Sequence, residues 1–370
     1  MRKKEITIRD VAEQAGVSVT TVSHVLNGND DHVGPAKRDH VLEVMQALNY
    51  RPNAIARSMI TRNTATIGLI INELENALFV PVIDGVNEVL RGQGYHIVLA
   101  SAPDLEGEVR AIETLRAQQV DGFIFMLLSL RYPSEHLTRL KDEGVPFVVI
   151  NRTLDDPGIM QIQFDDLGAG RSATEHLLSL GHTRIATISG PLAGPVPRRS
   201  ALDRLQGWRE ALLARDLEPD AAWIADGGYT PAGGYAAAQR LLAQGLGQPG
   251  GPTALFVASD EMALGALKAC HAAGVRVPAD LAVTAIGDPP FATYTIPALT
   301  TLVLPVPRAG RLAARIVVAW IKAGKPPRPR RFTLSLTLRV RESCGAPARA
   351  SGGPVSRPRE AEAEAQGGRS

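Results

Sequence analysis

The sequence predicts an all-α helix-turn-helix head followed by an α/β core of two doubly wound parallel-sheet subdomains. Three observations carry this expectation. Two short apolar helical stripes flank a glycine near the amino terminus; from residue 65 onward β-branched runs alternate with helical patterns; and 370 residues exceed one ordinary domain.

The head is read from Thr7 to Tyr50. Ile8, Val11, Ala12 and Ala15 recur at helical spacing after Thr7, whose hydroxyl suits an N-cap with Asp10 in the first turn. Gly16 permits the reversal, Ser18 caps a second helix, and Val22, Val25 and Leu26 face the first. Val19, Thr20, Thr21, Ser23 and His24 lie off that stripe. They are small or hydrogen-bonding, unlike an ordinary Glu/Lys solvated face, and such a helix fits a DNA major groove. After Gly34-Pro35 a third helix closes the core with Val41, Val44, Met45 and Leu48, and Asn49-Tyr50-Arg51-Pro52 stops it. Residues 53–60 form about two turns, shorter than the roughly 12–15 residues an isolated helix needs, so their helix should depend on a partner.

In the core, TIGLII, YHIVLAS, DGFIFML and PFVVI read as buried parallel strands separated by helices over 80–91, near 108–118 and near 134–142. A second series begins with IQFDD and continues through RIATISG, AAWIADG, ALFVAS and LAVTAIG, with helices over 168–180, 200–214, 231–243 and 261–273. Residues 302–323 add a strand and a helix, and FTLSLTLRV is a late strand expected to return to the second half. Small molecules bind such folds in the cleft at strand carboxyl ends. The tail from Gly345 has almost no large apolar residue and reads as disordered.

Composition narrows the function classes. The apolar share of 45% is ordinary, and no run of ~18 apolar residues could span a bilayer. MRKKEITIRD lacks the apolar segment of a signal peptide, so a cytoplasmic protein is expected. Residues 1–63 hold nine Lys and Arg against seven Asp and Glu, a net of +2 that equals the whole-chain net and says little about nucleic acid. Cys270 and Cys344 have no CxxC or zinc spacing, and the eight histidines show no ligand spacing. Gly245 to Gly250 matches GxGxxG but trails a helix, so it is a loop. No GxxxxGK[ST], GxSxG or HExxH occurs; Asp155-Asp156 sits in a turn and Asp165-Asp166 precedes a helix as a cap. No catalytic residues, metal or cofactor are expected.

Several stretches together resemble the LacI/GalR family of bacterial repressors: TIRDVAEQAGVSVTTVSHVLNG, LNYRPNAIARSM, TIGLII, DGFIF, EHLLSLGHTRIATISGP, FVASDEMALGAL, PALTTL and the RES at 341–343. The resemblance covers residues 6 to about 343. It implies a DNA-binding head (6–51), a hinge helix and linker (52–63), and a core (64–345) resembling periplasmic sugar-binding proteins, with a tail at 346–370. The core would cross between halves three times, giving an N-subdomain of about 64–163 plus 295–326 and a C-subdomain of about 164–294 plus 327–345.

Residue by residue, the resemblance implies that Val19, Thr20 and His24 contact bases, that Thr21, Ser23, Arg38, Tyr50 and Asn53 contact the DNA backbone, and that Met59 is the minor-groove wedge. Neutral His24 offers one donor and one acceptor, enough for a single bond to guanine but not arginine's fork. For the effector it implies Arg204 and Tyr229, with Phe79 near the pocket; Asn151, Arg152 and Asp260 follow strand ends that face the cleft. Where the family reads G-[FY]-D-[DN], this chain has Ala285-Ile286-Gly287-Asp288, so Gly287 stands in place of an acid and Asp288 is the residue available to compensate. Arg152 and Arg204, with Arg198 and Arg199 beside them, give a cationic pocket for a sugar acid; if they make structural ion pairs, a neutral sugar fits instead.

The expected partners are double-stranded operator DNA, a small-molecule effector (sugar, sugar acid or related metabolite) and a second copy of the chain, with no membrane. The tail lacks the apolar seam of a tetramerising helix, which favours a homodimer. The alternative is a solute-binding protein or sugar-metabolising enzyme on the same core; the first calls for a signal peptide and the second for a catalytic cluster.

Overall fold

The computed structural model describes residues 6–26, 33–50, 63–72, 79–126, 134–192 and 199–346. The head contains α1 (Ile8–Gln14), α2 (Val19–Leu26) and α3 (Pro35–Ala47). Thr7 and Asp10 form a reciprocal capping box that starts α1, with Asp10 Oδ2 accepting from the Thr7 N–H at 2.7 Å. Gly16 takes φ +63° at the turn, and the Ser18 hydroxyl accepts from the Thr21 N–H at 3.1 Å to cap α2. Val11, Ala12, Ala15, Val22, Val25, Val33, Val41 and Val44 make up the buried core of the head. These are small side chains, and so small a core leaves the head little stability in reserve.

The rest of the described chain forms two six-stranded sheets. The first has strand order β11-β5-β4-β3-β1-β2, built from β1 (Thr66–Ile71), β2 (His96–Ser101), β3 (Gly122–Met126), β4 (Phe147–Ile150), β5 (Gln161–Phe164) and β11 (Arg331–Leu334), all parallel. The second runs β12-β10-β9-β8-β6-β7, from β6 (Ile185–Ser189), β7 (Ile224–Asp226), β8 (Ala254–Val257), β9 (Ala282–Gly287), β10 (Thr300–Val303) and β12 (Thr337–Arg339), with β12 antiparallel to β10. The helices are α4 (Phe79–Gly92), α5 (Leu105–Ala117), α6 (Glu135–Asp142), α7 (Asp166–Ser179), α8 (Arg199–Leu213), α9 (Pro231–Ala243), α10 (Asp260–Ala272) and α11 (Val306–Ala323). Strands β1, β3, β4, β6 and β8 are almost wholly buried, as parallel strands covered on both faces must be.

Three short crossings join the sheets. Asp165 alone separates β5 from α7, Leu304-Pro305 separates β10 from α11, and Ser335-Leu336 separates β11 from β12. Each crossing leaves a strand at its carboxyl end and enters the other half at the carboxyl end of that sheet. The carboxyl ends of the two sheets therefore face one another across a hinge three chains wide. The Asp165 N–H donates to the Leu334 carbonyl at 3.0 Å, tying two of those chains together.

Several expectations are corrected here. IQFDD does not open the second half, because β5 completes the first sheet, where its Gln161 pairs with Val149. FTLSLTLRV is two strands: β11 extends the first sheet and only β12 returns to the second, the break falling at Ser335-Leu336. The sheets divide the chain after 164, 303 and 334; the first matches the family pattern's change at about 163, and the other two fall about eight to nine residues beyond its changes at about 294 and 326. AAWIADG is only half strand, since Asp220 caps a 3-10 turn over Ala221–Trp223 and β7 keeps three residues. The expected hinge helix and linker over 52–62, with the residues Asn53 and Met59, and also Arg198 and the tail from 347, lie outside the described residues.

Candidate functional site

Two regions carry the expected site residues. In the head, α2 turns Val22 and Val25 inward and leaves Val19 and Thr20 exposed, with Thr21, Ser23 and His24 half-buried. Val19 keeps 41% of its surface exposed, comparable with Ile6 at 40% and Leu42 at 46% elsewhere in the head. Thr21 shares its hydroxyl with Ser18 at 2.9 Å, so it can donate onward while α2 remains capped. Arg38 on α3 lies against Asp39, with Nε and Nη2 3.2 and 3.1 Å from Oδ1. Both side chains are partly solvated, so this ion pair is a weak one.

The second region lies at the facing carboxyl ends of the sheets. In the first half, β4 delivers Asn151 at φ +59° and then Arg152, which is buried. Arg152 Nη1 donates to both oxygens of Glu108 on α5, at 3.1 and 3.0 Å. His136 on α6 meets Glu108 Oε1 through Nε2 at 2.7 Å. One buried carboxylate thus fastens α5, α6 and the end of β4. Phe79 opens α4 at 1% exposure and belongs to the main core.

In the second half, α7 and α8 approach until a Cβ on Gly170 would stand 2.1 Å from the Arg204 carbonyl, and one on Gly207 2.2 Å from that of Leu167. This close approach fixes Arg204. Its Nε donates to Asp166 Oδ1 at 2.8 Å, its Nη1 to the Ala258 carbonyl at 2.5 Å, and its guanidinium carbon lies 6.0 Å from the centre of the Tyr229 ring. Burial pushes the Asp166 carboxyl up, against the pull of Arg204. The Tyr229 ring covers Gly190, where a Cβ would come within 2.3 Å of it, and its hydroxyl is 3.2 Å from that of Ser200.

Asp260 and Asp288 form a third group beside Arg204. Asp260 begins α10 after the capping Ser259, and its carboxylate accepts from the Thr301 hydroxyl at 2.8 Å and from the Asp288 N–H. Burial raises its pKa to about 6, opposed by those two bonds. Asp288, expected to compensate for Gly287 toward a ligand, instead holds Arg341 at 2.5 Å and Arg339. A Cβ at Gly287 would sit 2.7 Å from Asp260 Oδ2, so Asp260 already fills the space into which a side chain there would point.

The structure therefore draws Arg204, Tyr229 and Asp260 together and keeps Arg152 with Asn151 in the opposite half. The cationic pocket is corrected: both buried arginines carry a carboxylate, and Arg199 holds Asp203 at 2.8 Å. Sequence reasoning missed Glu108, His136 and Ser200; it read Asp165-Asp166 together as a cap, and of the two Asp165 does cap, accepting from the Gly168 N–H, while Asp166 holds Arg204. Among the described residues no group of three metal-ligating side chains occurs, and no helix is long and apolar enough to cross a membrane.

Residues 7–53 match the family described as bacterial regulatory proteins, lacI family, and residues 174–344 match the periplasmic binding protein-like domain. The chain is 38% identical to the HTH-type transcriptional regulator CelR of Thermobifida fusca, over 92% of this chain and 99% of that one. Among solved structures, a transcriptional regulator CelR-cellobiose complex is 35% identical with a TM-score of 0.67, covering 92% of this chain and all of that one. The lac repressor dimer bound to operator and the anti-inducer ONPF is 28% identical with a TM-score of 0.80, over 92% and 99% of the two chains.

Proposed function

The chain belongs to the lacI family of bacterial regulatory proteins, and from that premise we propose that it acts in the cytoplasm as a homodimeric repressor of sugar-metabolism genes. Its operator is pseudo-palindromic, and its effector is a neutral sugar. The observation that carries the reading is the outer face of α2, small and hydrogen-bonding where a solvated helix would carry Glu and Lys. Val19, Thr20 and His24 are assigned to base edges, and Thr21, Ser23, Arg38, Tyr50 and Asn53 to phosphates. Met59 is assigned to the minor-groove wedge. No catalytic step is assigned.

A dimer places two heads on two half-sites of matching symmetry. Large apolar side chains at the surface support self-association: Val80 on α4, Leu99 on the edge strand β2, and Tyr294 and Ile296, which keep 82% and 96% of their surface exposed. The lac repressor was solved as such a dimer on its operator.

The neutral effector follows from the balanced arginines. With Glu108 on Arg152 and Asp166 on Arg204, no surplus guanidinium charge is left at these positions to select an acidic ligand. Tyr229 offers an aromatic face and Ser200 a hydroxyl, the groups that hold a polyhydroxylated ring. The CelR relative was solved with cellobiose, a neutral disaccharide. Ligand between the facing carboxyl ends biases the angle at the three crossings, and the linker ahead of Thr64 passes that change to the heads.

The test is an operator selection from a randomised duplex library with the full-length protein, followed by binding assays with cellobiose, other neutral sugars and gluconate. Enrichment of one pseudo-palindrome, with affinity shifted by a neutral sugar and not by gluconate, is the expected result. Failure to enrich any sequence would overturn the repressor reading, and a response to gluconate alone would overturn the neutral effector.

A further inference from the structure

The charge of this chain is distributed unevenly. From Pro289 to Arg341 it carries ten Lys and Arg and no Asp or Glu, against a whole-chain net of +2, so the remainder is net acidic by eight. Arg339 and Arg341 are held by Asp288, and Arg311 reaches Glu88 at 3.2 Å. The other seven make no ion pair within 4 Å among the described residues. Four of these, Lys322, Lys325, Arg328 and Arg330, lie in nine consecutive residues; the first three are exposed and Arg330 half-buried.

Their place in the fold is fixed by topology. Helix α11 returns antiparallel to the strands it covers, so its carboxyl end and the approach to β11 lie at the amino-terminal end of the first sheet, away from the cleft. Lys322 Nζ donates to Gln93 Oε1 at 2.6 Å, just before the edge strand β2, and the Arg330 guanidinium donates to the Gly158 carbonyl at 2.5 Å, just before β5. The segment thus crosses most of the sheet, about 20 Å at a strand spacing of about 4.8 Å. The linker from the head enters within that span, beside β1 and β3. Thr64 is anchored there by its N–H to Asp121 Oδ1 at 3.0 Å and its hydroxyl to the Gln119 carbonyl at 2.9 Å. Of the acids at this end, Asp121 is engaged by Thr64 and Thr66, Glu143 by Arg116 at 2.6 Å, and Asp156 and Asp142 by Lys141, while Asp155 makes no ion pair within 4 Å among the described residues.

We propose that the strip from Lys322 to Arg330 binds the phosphate backbone of duplex DNA flanking the operator, as a second, sequence-independent contact. The inference rests on the repressor reading above. Thirteen residues separate Tyr50 from Thr64, so a head on its half-site holds this end of the core within about 50 Å of the duplex. The tether raises the local concentration of phosphate around unpaired cations, which release condensed counterions on contact. This favours DNA over an untethered acidic protein.

The experiment uses the full-length dimer and the operator it selects, placed in duplexes of about 18 and about 50 base pairs, with affinity measured against KCl concentration. Lys325 and Arg328 make no hydrogen bond or ion pair among the described residues, so Lys325→Ala/Arg328→Ala should fold normally, checked by thermal melting. The wild type should show the steeper salt dependence on the long duplex. At about 0.9 per phosphate and two residues in each protomer, the double variant should lower that slope by roughly two to four and weaken long-duplex binding on the order of tenfold. The short duplex should be unaffected. Equal slopes on both lengths, or no change in the variant, would overturn the strip while leaving the repressor reading intact. A selection that enriches nothing overturns both. Retained DNA slopes with lost retention on a poly-glutamate resin would reassign the strip to an acidic protein and overturn the DNA assignment.

Discussion

In the first half of the core a buried arginine, Arg152, meets both oxygens of Glu108, one of which also faces His136; in the second a buried arginine, Arg204, grips Asp166, reaches the Ala258 carbonyl and lies under Tyr229. The folds are alike and so is the device, a desolvated ion pair at the carboxyl ends of a parallel sheet. The surroundings differ. Glu108 joins three elements of its own half into one block. Arg204 has an aromatic ring and a hydroxyl beside it, groups that can meet a ligand. On the proposed reading one half is a wall and the other a reader, and ligand discrimination would fall mainly on the C-terminal half.

The largest effect should come from removing either arginine. Breaking a buried pair from one side strands a charge and costs about 3–5 kcal/mol, whereas replacing both partners by apolar groups of similar volume is close to neutral. Arg152→Ala and Arg204→Ala should each lose that much in urea unfolding, and Glu108→Leu/Arg152→Met should recover most of it. A cost below about 1 kcal/mol for either single variant would mean the pair is solvated and the likeness between the halves is superficial.

A smaller effect separates the halves by pH. Asp260 has a folded pKa of about 6, above its ordinary value of 3.8, because burial penalises the carboxylate. Stability from its neutral form is therefore full below about pH 4 and is lost as the pH rises through 6. A difference near two units corresponds to on the order of 3 kcal/mol. Unfolding free energies of wild type and Asp260→Asn, compared at several pH values from acid to pH 8, should diverge by that amount in favour of the variant as the pH rises. Parallel curves would show that Asp260 is ionised and solvated throughout.

How much of this was legible in the sequence follows from the range of each interaction. The head was readable nearly to the residue, because caps, turn glycine and apolar stripe are local: Thr7, Gly16, Ser18 and Pro35 stand where the pattern put them. Strand existence was legible from β-branched runs, but membership was not. β5 and β11 pair across 170 residues, and only the sheet shows that β11 completes the first half. The core site was half legible. Arg204 and Tyr229 came from the family resemblance, while their surroundings depend on contacts that leave no spacing in the chain: Asp166 lies 38 residues from Arg204, and Glu108 44 from Arg152. For that reason the pocket looked cationic in sequence and is balanced in three dimensions.

The smallest predicted effects test wall and reader most directly, because they fall on the neighbours that differ. His136→Ala removes a bond to a carboxylate that Arg152 continues to hold, so it should cost about 1.5–3 kcal/mol in stability. Tyr229→Leu removes a ring at the outer limit of cation–π distance and a hydroxyl contact with Ser200, about 1 kcal/mol together. Function should order them the other way. Tyr229→Leu should weaken the thermal stabilisation given by a neutral sugar at least tenfold in sugar concentration, since it removes the surface on which a ring would lie, and His136→Ala should leave that concentration nearly unchanged. If His136→Ala abolished the sugar effect and Tyr229→Leu did not, discrimination would belong to the N-terminal half, and the Arg204 cluster would be structural.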